Sequence, residues 1–239
     1  MQAAVKFMVK IGLIVLTLSC SNNNQKILVL PYTSSADIVI DGQLQDWKAH
    51  TSLFQVRDFI SPWDTMSFGS TKFNAIRDST WLYFYFDITD GQVVSVPFIK
   101  ETDVALGDRV EMFFAGDTTL NDYYCIEIGP YGDVLDYQAS YYRQFNDTWN
   151  LVNLEVASHL TKSGYIVEGR IPISFLSRIS KNETSKELKL WLGLYRADFS
   201  EKDIGEKMVQ WISWINPDTP TPDFHVPSSF QLIKIEKPL

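Results

Sequence analysis

The sequence predicts an all-β protein, an antiparallel β-sandwich or jelly roll with at most one or two short helices. From Lys26 onward, short runs rich in aromatic and β-branched residues alternate with turn segments rich in Gly, Pro, Asp and Asn. Helical periodicity is nearly absent, and its clearest instance is Ile173–Ile179, which follows Pro172 and predicts one short helix.

The predicted strands follow one another without an internal linker or repeat. The clearest is Leu188–Tyr195, in which leucine occupies every second position, so one face of this strand should be buried. A hairpin is expected at Gly129–Gly132, between two apolar runs. The other predicted strands are Trp81–Phe86, Val110–Phe114, Tyr123–Ile128, Asp133–Tyr137, Leu151–Ala157, Tyr165–Ile171, Val209–Ile215 and Phe230–Ile235.

Composition excludes several classes of function. The chain has 239 residues, of which 45% are hydrophobic and 14% aromatic, so it can bury a core and disorder is not expected. Its formal net charge is −8 and it has no basic patch, so nucleic acid is not expected as a partner. No Gly-x-Ser-x-Gly, Walker or His-Glu-x-x-His motif occurs, and no catalytic residues are predicted.

The N-terminus has the features of an export signal. Two lysines precede a short apolar run, Ile11–Leu18, which is too short to span a bilayer as a mature helix. This run ends at Cys20, and a polar segment follows, which resembles a bacterial lipoprotein signal. The resemblance implies a signal peptide over 1–20, lipidation of Cys20, and a tether and lead-in over 21–37. The alternative is a plain signal peptide that happens to contain a cysteine.

These features predict an exported protein that is lipid-anchored in the bacterial cell envelope, at the outer membrane. No acidic residue directly follows Cys20, which favours the periplasmic side. The chain has two cysteines, so lipidation of Cys20 would leave Cys125 without an intrachain disulfide partner. Cys125 lies in an apolar strand and is expected to be a buried, inert thiol.

Short motifs follow one another over most of the chain, from Ile38 to Ile235. They are Ile40–Gly42 with Asp46-Trp47, Asp108–Phe114 with Tyr124–Ile128, Gly164–Pro172, Leu194–Asp198, Trp211–Trp214 and Phe224–Pro227. In order and spacing they resemble carbohydrate-binding module family 9 and its DOMON-like relatives. The resemblance implies a non-catalytic β-sandwich over 38–239 that binds the ends of sugar chains. It also implies an oligo- or polysaccharide partner and an association with polysaccharide-degrading enzymes.

In that family a sugar ring is clamped between two aromatic side chains and surrounded by polar groups. The resemblance implies that Phe224 is one aromatic contact and that Glu111 is a carboxylate in contact with sugar. Ala105 occupies about the position of the second aromatic residue, so half of the clamp is missing or comes from elsewhere. Tyr131 and Trp63 are candidate substitutes.

Two further candidates are charged. Glu127 stands where sugar binders carry a basic contact, and Arg196 follows the leucine face of its strand by parity. Arg196 could bond sugar hydroxyls or carboxylates such as Glu111, because a buried arginine needs partners. For Glu111 and Glu127, the alternative is a solvated sheet face.

The remaining ligand candidates are a histidine and a tryptophan. His225 lies in a loop, where binding residues gather, although it could instead fix that loop through a backbone hydrogen bond. Trp211 and Trp214 are three residues apart and should face opposite ways if they lie in one strand. Of the two, Trp214 is the second candidate for a sugar-stacking surface.

Several other residues are expected to have structural roles. Asp41-Gly42 with Trp47 is expected to form a turn at the sandwich edge, and Glu168 and Arg170 are expected to pair with neighbours. No cofactor is assigned, but structural calcium remains an option, because acidic loop residues could supply oxygen ligands. Those residues are Asp87 with Asp90, and Asp103 with Asp108.

Three other functions compete with sugar binding. A glycoside hydrolase would need two carboxylates across a cleft, and the sequence marks no such pair. A b-type haem domain would need axial ligands, and the candidates are His50, His159, His225, Met112 and Met208. The third is a cell-envelope scaffold that kept the sandwich and lost the sugar site, and Ala105 is the residue that keeps this interpretation open.

Overall fold

The computed structural model describes residues 28–181, 187–203 and 206–236, and it confirms the all-β prediction. The described α-helix is α1, Ile173–Ile179, at the predicted position. Short 3₁₀ helices lie at Asp46–Ala49, Glu101–Leu106 and Pro227–Ser229. The strands are β1 Leu28–Leu30, β2 Phe54–Val56, β3 Thr71–Arg77, β4 Trp81–Thr89, β5 Arg109–Ala115, β6 Tyr123–Ile128, β7 Val134–Ser140, β8 Gln144–Asn146, β9 Glu155–Thr161, β10 Gly164–Pro172, β11 Glu187–Asp203, β12 Glu206–Ser213 and β13 Gln231–Glu236.

The described strands form two sheets. One has the order β1-β13-β11-β5-β6-β7-β8, and the other has the order β2-β3-β4-β10-β9. The pairs are antiparallel except β1 with β13. The long strand β11 serves two neighbours on one side, because β13 pairs with its first part and β12 with its second part. The two sheets therefore meet as a sandwich, as the strand pattern predicts.

The main core lies between the sheets. The leucines of β11 at positions 188, 190, 192 and 194 all face it, together with Phe84 and Phe86 of β4 and Met112 and Phe114 of β5. Burying each such side chain contributes about 1.5–3 kcal/mol to stability. The predicted buried face of Leu188–Tyr195 is thus confirmed.

A second apolar cluster covers the outer face of the first sheet, which is called the β1–β8 sheet after its two edge strands. Its members include Phe113 of β5, Tyr123 of β6, Tyr137 of β7 and Tyr195 of β11, and the segment between β12 and β13 packs over them through Phe224. Because a sheet face that is covered this way is not a solvated face, polar residues on it must find partners. This covered face positions the candidate site.

The outer face of the other sheet is closed by the N-terminal segment. Glu168 of β10 accepts hydrogen bonds from the backbone nitrogens of Asp41 and Gly42 at 3.0 and 2.9 Å, and from Nε1 of Trp47 at 2.6 Å. Gly42 has a φ of +77°, and a Cβ there would lie 2.9 Å from the Ser158 carbonyl carbon, so glycine is required. The structural interpretation of these motifs is correct.

The predictions for the N-terminus fall mostly outside the described residues. Cys20, the signal peptide over 1–20 and the first part of the tether are among those not described. The lead-in, however, contributes β1, which pairs with β13, so the fold begins before residue 38. No helix in the described part of the chain is long and apolar enough to cross a membrane.

Candidate functional site

A pocket of about 400 Å³ opens on the outer face of the β1–β8 sheet. Strands β5, β6 and β7 supply its floor, β12 and the segment before β13 supply one wall, and β8 supplies the opposite side. The 3₁₀ helix Glu101–Leu106 borders it through Thr102 and Ala105. Its volume lies within the range of small-molecule sites, which are concave and mostly apolar with a few converging polar groups.

The floor of the pocket is an arginine held between two glutamates. Nε of Arg109 lies 2.9 Å from Oε1 of Glu111 and 2.6 Å from Oε2 of Glu127. Glu111 and Glu127 are directly opposite each other in the register of β5 and β6, which explains why both reach the same guanidinium. Nη1 of Arg109 donates to the carbonyls of Ala105 and Gly107, whereas Nη2 has no hydrogen-bond partner among the described residues.

The two glutamates differ in how well they are bonded. Glu127 accepts hydrogen bonds from Arg109 Nε and from the Tyr137 hydroxyl at 2.8 Å. Glu111 is only 2% exposed, and its Oε1, although 2.9 Å from Nε of Arg109, has no hydrogen bond of good geometry, because the Nε–H of Arg109 is directed at Glu127. Burial, together with the nearby Glu127 carboxylate, raises the pKa of Glu111 to about 8. A buried acceptor without a donor is costly, so Glu111 is suited to accept a hydrogen bond from a ligand.

The walls of the pocket are aromatic. Phe224 stacks against Tyr195 with ring centroids 4.1 Å apart and planes 10° apart, so one of its faces is already covered. Trp211 meets Phe224 edge-on at 5.7 Å, and the Arg109 guanidinium lies 5.4 Å from the Trp211 ring. Phe145, which is 50% exposed, stands on the opposite side. These rings can pack against the apolar face of a flat ligand.

The charged residues at the rim of the pocket pair with one another. Arg143 Nη1 lies 2.9 Å from Oδ1 of Asp223, and the Tyr142 hydroxyl donates to Oδ2 of the same carboxylate at 2.7 Å. His225 makes a 2.9 Å hydrogen bond through Nδ1 with the Tyr123 hydroxyl. Burial and the nearby Arg143 lower the pKa of His225 to about 4, so its imidazole is neutral near pH 7. His225 is therefore a neutral hydrogen-bonding group at the mouth of the pocket.

Four of the six ligand candidates chosen from the sequence line this one pocket, namely Phe224, Glu111, Glu127 and His225. These residues are separated in sequence, and the fold brings them together. The expected alternative of a solvated face for Glu111 and Glu127 is wrong, because both are buried under the segment before β13. The ring of His225 bonds to the Tyr123 hydroxyl, and its backbone nitrogen donates to Oδ1 of Asp223 in the same loop at 2.9 Å, so the structural alternative of a loop-fixing backbone hydrogen bond also holds.

The other two candidates, Arg196 and Trp214, do not reach the pocket, and these predictions are wrong. Arg196 is fully buried on the core side of β11, where Nη2 lies 3.0 Å from both Asp90 and Asp198. It pairs with carboxylates, as one alternative held, but not with Glu111. Trp214 is 8% exposed and packs edge-on against Phe54 in the main core. It shares parity with the apolar Ile212, which is the signal that it faces inward.

The two residues suggested as substitutes for the second aromatic side chain do not line the pocket. Tyr131 lies in a separate depression on the far side of the 3₁₀ helix Glu101–Leu106. Trp63 packs behind Phe224 at 5.5 Å, with its Nε1 donating to the Thr219 carbonyl. Trp211 and Phe145 line the pocket instead. Trp211 lies in β12 and Trp214 directly after it, and their opposite orientation could have identified Trp211 once Trp214 was assigned to the core.

The acidic residues considered for calcium do not come together as expected. Asp87 pairs with Lys72 at 2.9 Å, and Asp103 accepts backbone hydrogen bonds at the start of its 3₁₀ helix. Carboxylate oxygens of Asp90, Asp108 and Asp198 do lie within 4.8 Å of one another.

This three-aspartate cluster already contains a cation. The Arg196 guanidinium contacts Asp90 and Asp198, while Asp108 accepts hydrogen bonds from the backbone nitrogens of Val94 and Phe199 at 2.6 and 2.5 Å. Calcium needs six to eight oxygen ligands and would be placed against a guanidinium here. The residues of this cluster therefore do not fit a calcium ion.

Haem ligation is not supported by the positions of its candidate ligands. His225 lines the pocket, but Met112 is in the main core and His50 bonds to the Ala36 carbonyl. His159 is on the exposed strand β9, and Met208 lines a different depression. No second axial ligand is thus near His225 among the described residues.

Comparison with known proteins agrees with this geometry. The family model described as carbohydrate family 9 binding domain-like matches residues 40–237. The chain belongs to this family. The resemblance found in the sequence motifs is thereby confirmed. No curated protein matches the chain significantly.

Three solved structures share the fold. A candidate carbohydrate-binding protein from Bacteroides uniformis is 14% identical with a TM-score of 0.67, over 88% of this chain and 99% of that one. A family 9 carbohydrate-binding module from Caldicellulosiruptor kristjanssonii in complex with cellotriose is 18% identical with a TM-score of 0.55, over 90% and 95%. A module from the same organism in complex with glucose is 19% identical with a TM-score of 0.54, over 88% and 95%.

Proposed function

We propose that this chain is a non-catalytic carbohydrate-binding protein, and that the pocket floored by Arg109 and Glu111 is its sugar site. The observation that carries the proposal is the buried Glu111 carboxyl, which lines the pocket and has one oxygen, Oε1, that accepts no hydrogen bond from the described residues. A sugar hydroxyl is a neutral donor of the right size for such an acceptor. Family membership supports the same ligand class.

A pyranose matches the two kinds of surface in this pocket. Its C–H face is apolar and can pack on Trp211 and Phe224, while its rim hydroxyls need donors and acceptors. Glu111 would accept from one hydroxyl, and Nη2 of Arg109, which has no other described partner, would donate to a neighbouring hydroxyl. Such a pair of adjacent contacts would hold a vicinal diol in one orientation.

Neutral glucose-based sugars are the first ligands to test. The two family 9 modules from C. kristjanssonii were solved with cellotriose and with glucose. The pocket lining also includes more carboxylates than guanidiniums: Glu111, Glu127, Asp147 and Asp223 against Arg109 and Arg143. A uronic acid would therefore add a like charge to the site and is expected to bind less well than a neutral sugar.

The arrangement of the two floor carboxylates argues against glycoside hydrolysis. A hydrolase holds its substrate between two carboxyl groups about 5 Å or more apart. Here Glu111 and Glu127 contact the same Nε of Arg109, at 2.9 and 2.6 Å, and both lie beneath the pocket. A glycosidic bond cannot lie between them, so a binding role is the better account of this pair.

We further propose that the protein is exported and anchored by a lipid on Cys20, and that it captures sugar chains beside polysaccharide-degrading enzymes. The support is the N-terminal signal pattern that ends at Cys20, together with the family. Metabolic labelling with an alkyne fatty acid should mark the wild type and leave Cys20→Ser unlabelled and released from membranes. Labelling of Cys20→Ser would contradict the anchor.

The sugar proposal is tested by titrating the purified protein with mono- and oligosaccharides of glucose, xylose and mannose. Calorimetry measures affinity, and tryptophan fluorescence reports directly because Trp211 lines the pocket. Saturable binding that Phe224→Ala and Glu111→Gln both weaken supports the proposal. Thermal melting checks that each variant is folded, which matters most for Phe224 because it stacks on Tyr195. Absence of binding across the panel would overturn it and favour the envelope scaffold.

A further inference from the structure

Aromatic side chains continue from the pocket onto the open surface. Tyr141 and Tyr142, in the turn between β7 and β8, are 49% and 52% exposed, and Phe145 of β8 is 50% exposed. Large apolar side chains on ordinary surfaces occur singly, whereas a contiguous group marks a binding surface. We call these three residues the hairpin platform. It has no role in the pocket described above, apart from the one wall that Phe145 provides.

The hairpin platform is continuous with the pocket. The Phe145 ring lies 5.2 Å from the His225 ring, and Arg143 bridges the next step because its guanidinium is 5.8 Å from Phe145 and 5.9 Å from Tyr142. The Tyr142 and Tyr141 ring centroids are 5.4 Å apart. A row of rings and one guanidinium thus leads outward from the pocket mouth without an interruption.

The rings of this row are held in position. The Tyr142 hydroxyl donates to Asp223, which also pairs with Arg143, and both of these charged residues line the pocket. The backbone nitrogen of Tyr141 donates to the Leu120 carbonyl at 2.8 Å. A surface that is ordered before its ligand arrives loses less conformational entropy on binding.

We propose that the hairpin platform is an outer subsite for a sugar chain that leaves the pocket, so that the protein prefers oligosaccharides to monosaccharides. This inference rests on the proposed function. The pocket volume of about 400 Å³ lies near the low end for ligand sites, so a chain of several rings must continue outside it. The exit along the platform offers aromatic faces beside charged and hydroxyl groups, which is the mixture that a sugar chain needs.

An exposed tyrosine elsewhere provides a matched control. Tyr131 is 61% exposed and lies across the 3₁₀ helix Glu101–Leu106 from the pocket. Tyr131→Ala and Tyr141→Ala remove the same side chain from similarly exposed sites. Tyr141→Phe keeps the ring and removes only a hydroxyl that makes no described hydrogen bond, so it tests whether the ring is what matters.

The experiment measures affinity by calorimetry against sugars of one to five units in the cello-, xylo- and manno- series. In the series that binds, the wild type should gain affinity beyond the units that fill the pocket. Tyr141→Ala should weaken binding of the tetra- and pentasaccharide by roughly 3- to 10-fold, the range for one aromatic contact, and leave the monosaccharide within about twofold. Tyr141→Phe and Tyr131→Ala should both bind like the wild type.

Several outcomes would overturn the inference. If sugars bind in a Glu111-dependent manner but affinity does not grow with length, or Tyr141→Ala does not alter it, the outer subsite is wrong and the pocket assignment stands. If no sugar binds, both proposals fail. If sedimentation shows a dimer that Tyr141→Ala dissociates while the affinity ladder is unchanged, the platform is covered by a second copy of the chain instead.

Discussion

Two regions of this sandwich use the same chemical parts for different ends. On the core side of β11, Arg196 lies 3.0 Å from both Asp90 and Asp198. On the outer face of the same sheet, Arg109 lies 2.9 Å from Glu111 and 2.6 Å from Glu127. Each of these two arginines is therefore buried and paired with two carboxylates.

The clusters differ in what else their carboxylates contact. Asp90 also accepts a hydrogen bond from the Gln92 backbone, and the adjacent Asp108 accepts two backbone hydrogen bonds. Oε1 of Glu111, by contrast, accepts none from the described residues, although it lies 2.9 Å from Nε of Arg109. Asp90 and Asp198 also border a depression, so the two clusters differ in hydrogen bonding and not in access. An arginine–carboxylate cluster thus becomes a candidate binding site only where one oxygen is left for a ligand.

The largest expected effect is on the cluster around Arg196. Arg196→Met should lower the free energy of unfolding by about 3–5 kcal/mol, since it leaves buried carboxylates without a counterion. The control is Arg170→Met, which breaks a surface pair with Glu155 and should cost about 1 kcal/mol or less. Urea denaturation measures both. A similarly small loss of unfolding free energy in both variants would show that the buried pairing of Arg196 does not stabilise the fold.

The next prediction compares Glu111, in the cluster around Arg109, with Glu168, a buried carboxylate that holds the N-terminal segment. Above pH 8, where the Glu111 carboxyl is mostly ionised, Glu111→Gln should weaken sugar binding by about 10- to 100-fold, as expected for a hydrogen bond to a charged group, without lowering the free energy of unfolding. Glu168→Gln should do the reverse, because Glu168 accepts three hydrogen bonds from the N-terminal segment. Calorimetry and urea denaturation of the two variants test this. If both variants lose stability alike, Glu111 is a structural residue.

A smaller effect concerns pH. A hydroxyl donor favours the ionised form of Glu111, whose pKa of about 8 in the free protein means that binding releases a proton below this pH. Affinity should rise between pH 6 and 8 and then level off, by about tenfold if the ligand lowers this pKa by one unit. Burial raises the pKa values of the neighbouring Tyr137, Tyr195 and Cys125, so these groups do not titrate in that range. Calorimetry should find no such rise in Glu111→Gln.

Unfolding free energy should show the opposite slope. Because the pKa of Glu111 is raised in the folded state, the folded protein binds more protons than the unfolded chain between pH 4.5 and about 8. This group therefore contributes stability at low pH that is lost as pH rises through that window. Comparing urea denaturation of the wild type and Glu111→Gln across the window isolates the contribution, and identical slopes would contradict it.

The smallest expected effect is that of removing calcium. Since Arg196 supplies the cation of the three-aspartate cluster, dialysis against EGTA should change the melting temperature by no more than about 1 °C, a fraction of what a 1 kcal/mol loss produces. Differential scanning calorimetry with and without added calcium provides the measurement. A large stabilisation by calcium would mean that a cation binds despite the guanidinium.

The fold could largely be predicted because β periodicity is local. Alternation in Leu188–Tyr195 and the turn at Gly129–Gly132 needed only neighbouring residues, and both have the predicted structure. Strands β1, β2, β3 and β8 were missed: β1, β2 and β8 are only three residues long, and β3 carries polar residues such as Asn74 although it is buried almost throughout. The strand predicted at Leu151–Ala157 begins later, at Glu155, since Leu151 packs into the core and its backbone nitrogen donates to Asp136.

The site could be predicted only in part. The motif positions of Phe224 and Glu111 pointed to two residues that line the same pocket, but their meeting depends on a segment more than 100 positions away from Glu111 in sequence. The choice between Trp211 and Trp214 failed because two tryptophans of opposite orientation are equivalent until one face is known to be the core. Arg109 was passed over because its role arises from register with Glu127 across β5 and β6.

The most direct test of the account is the titration of the Glu111 carboxyl itself, followed by carbon-13 NMR in the free protein and at saturation with a bound sugar. The account predicts a midpoint near pH 8 in the free protein and a lower one in the complex, because the sugar hydroxyl donates to the carboxylate. Glu111→Gln identifies the signal by its disappearance. A midpoint that the sugar leaves unchanged would contradict a role for Glu111 in binding, and an ordinary midpoint near 4.5 in the free protein would contradict its burial beside Glu127.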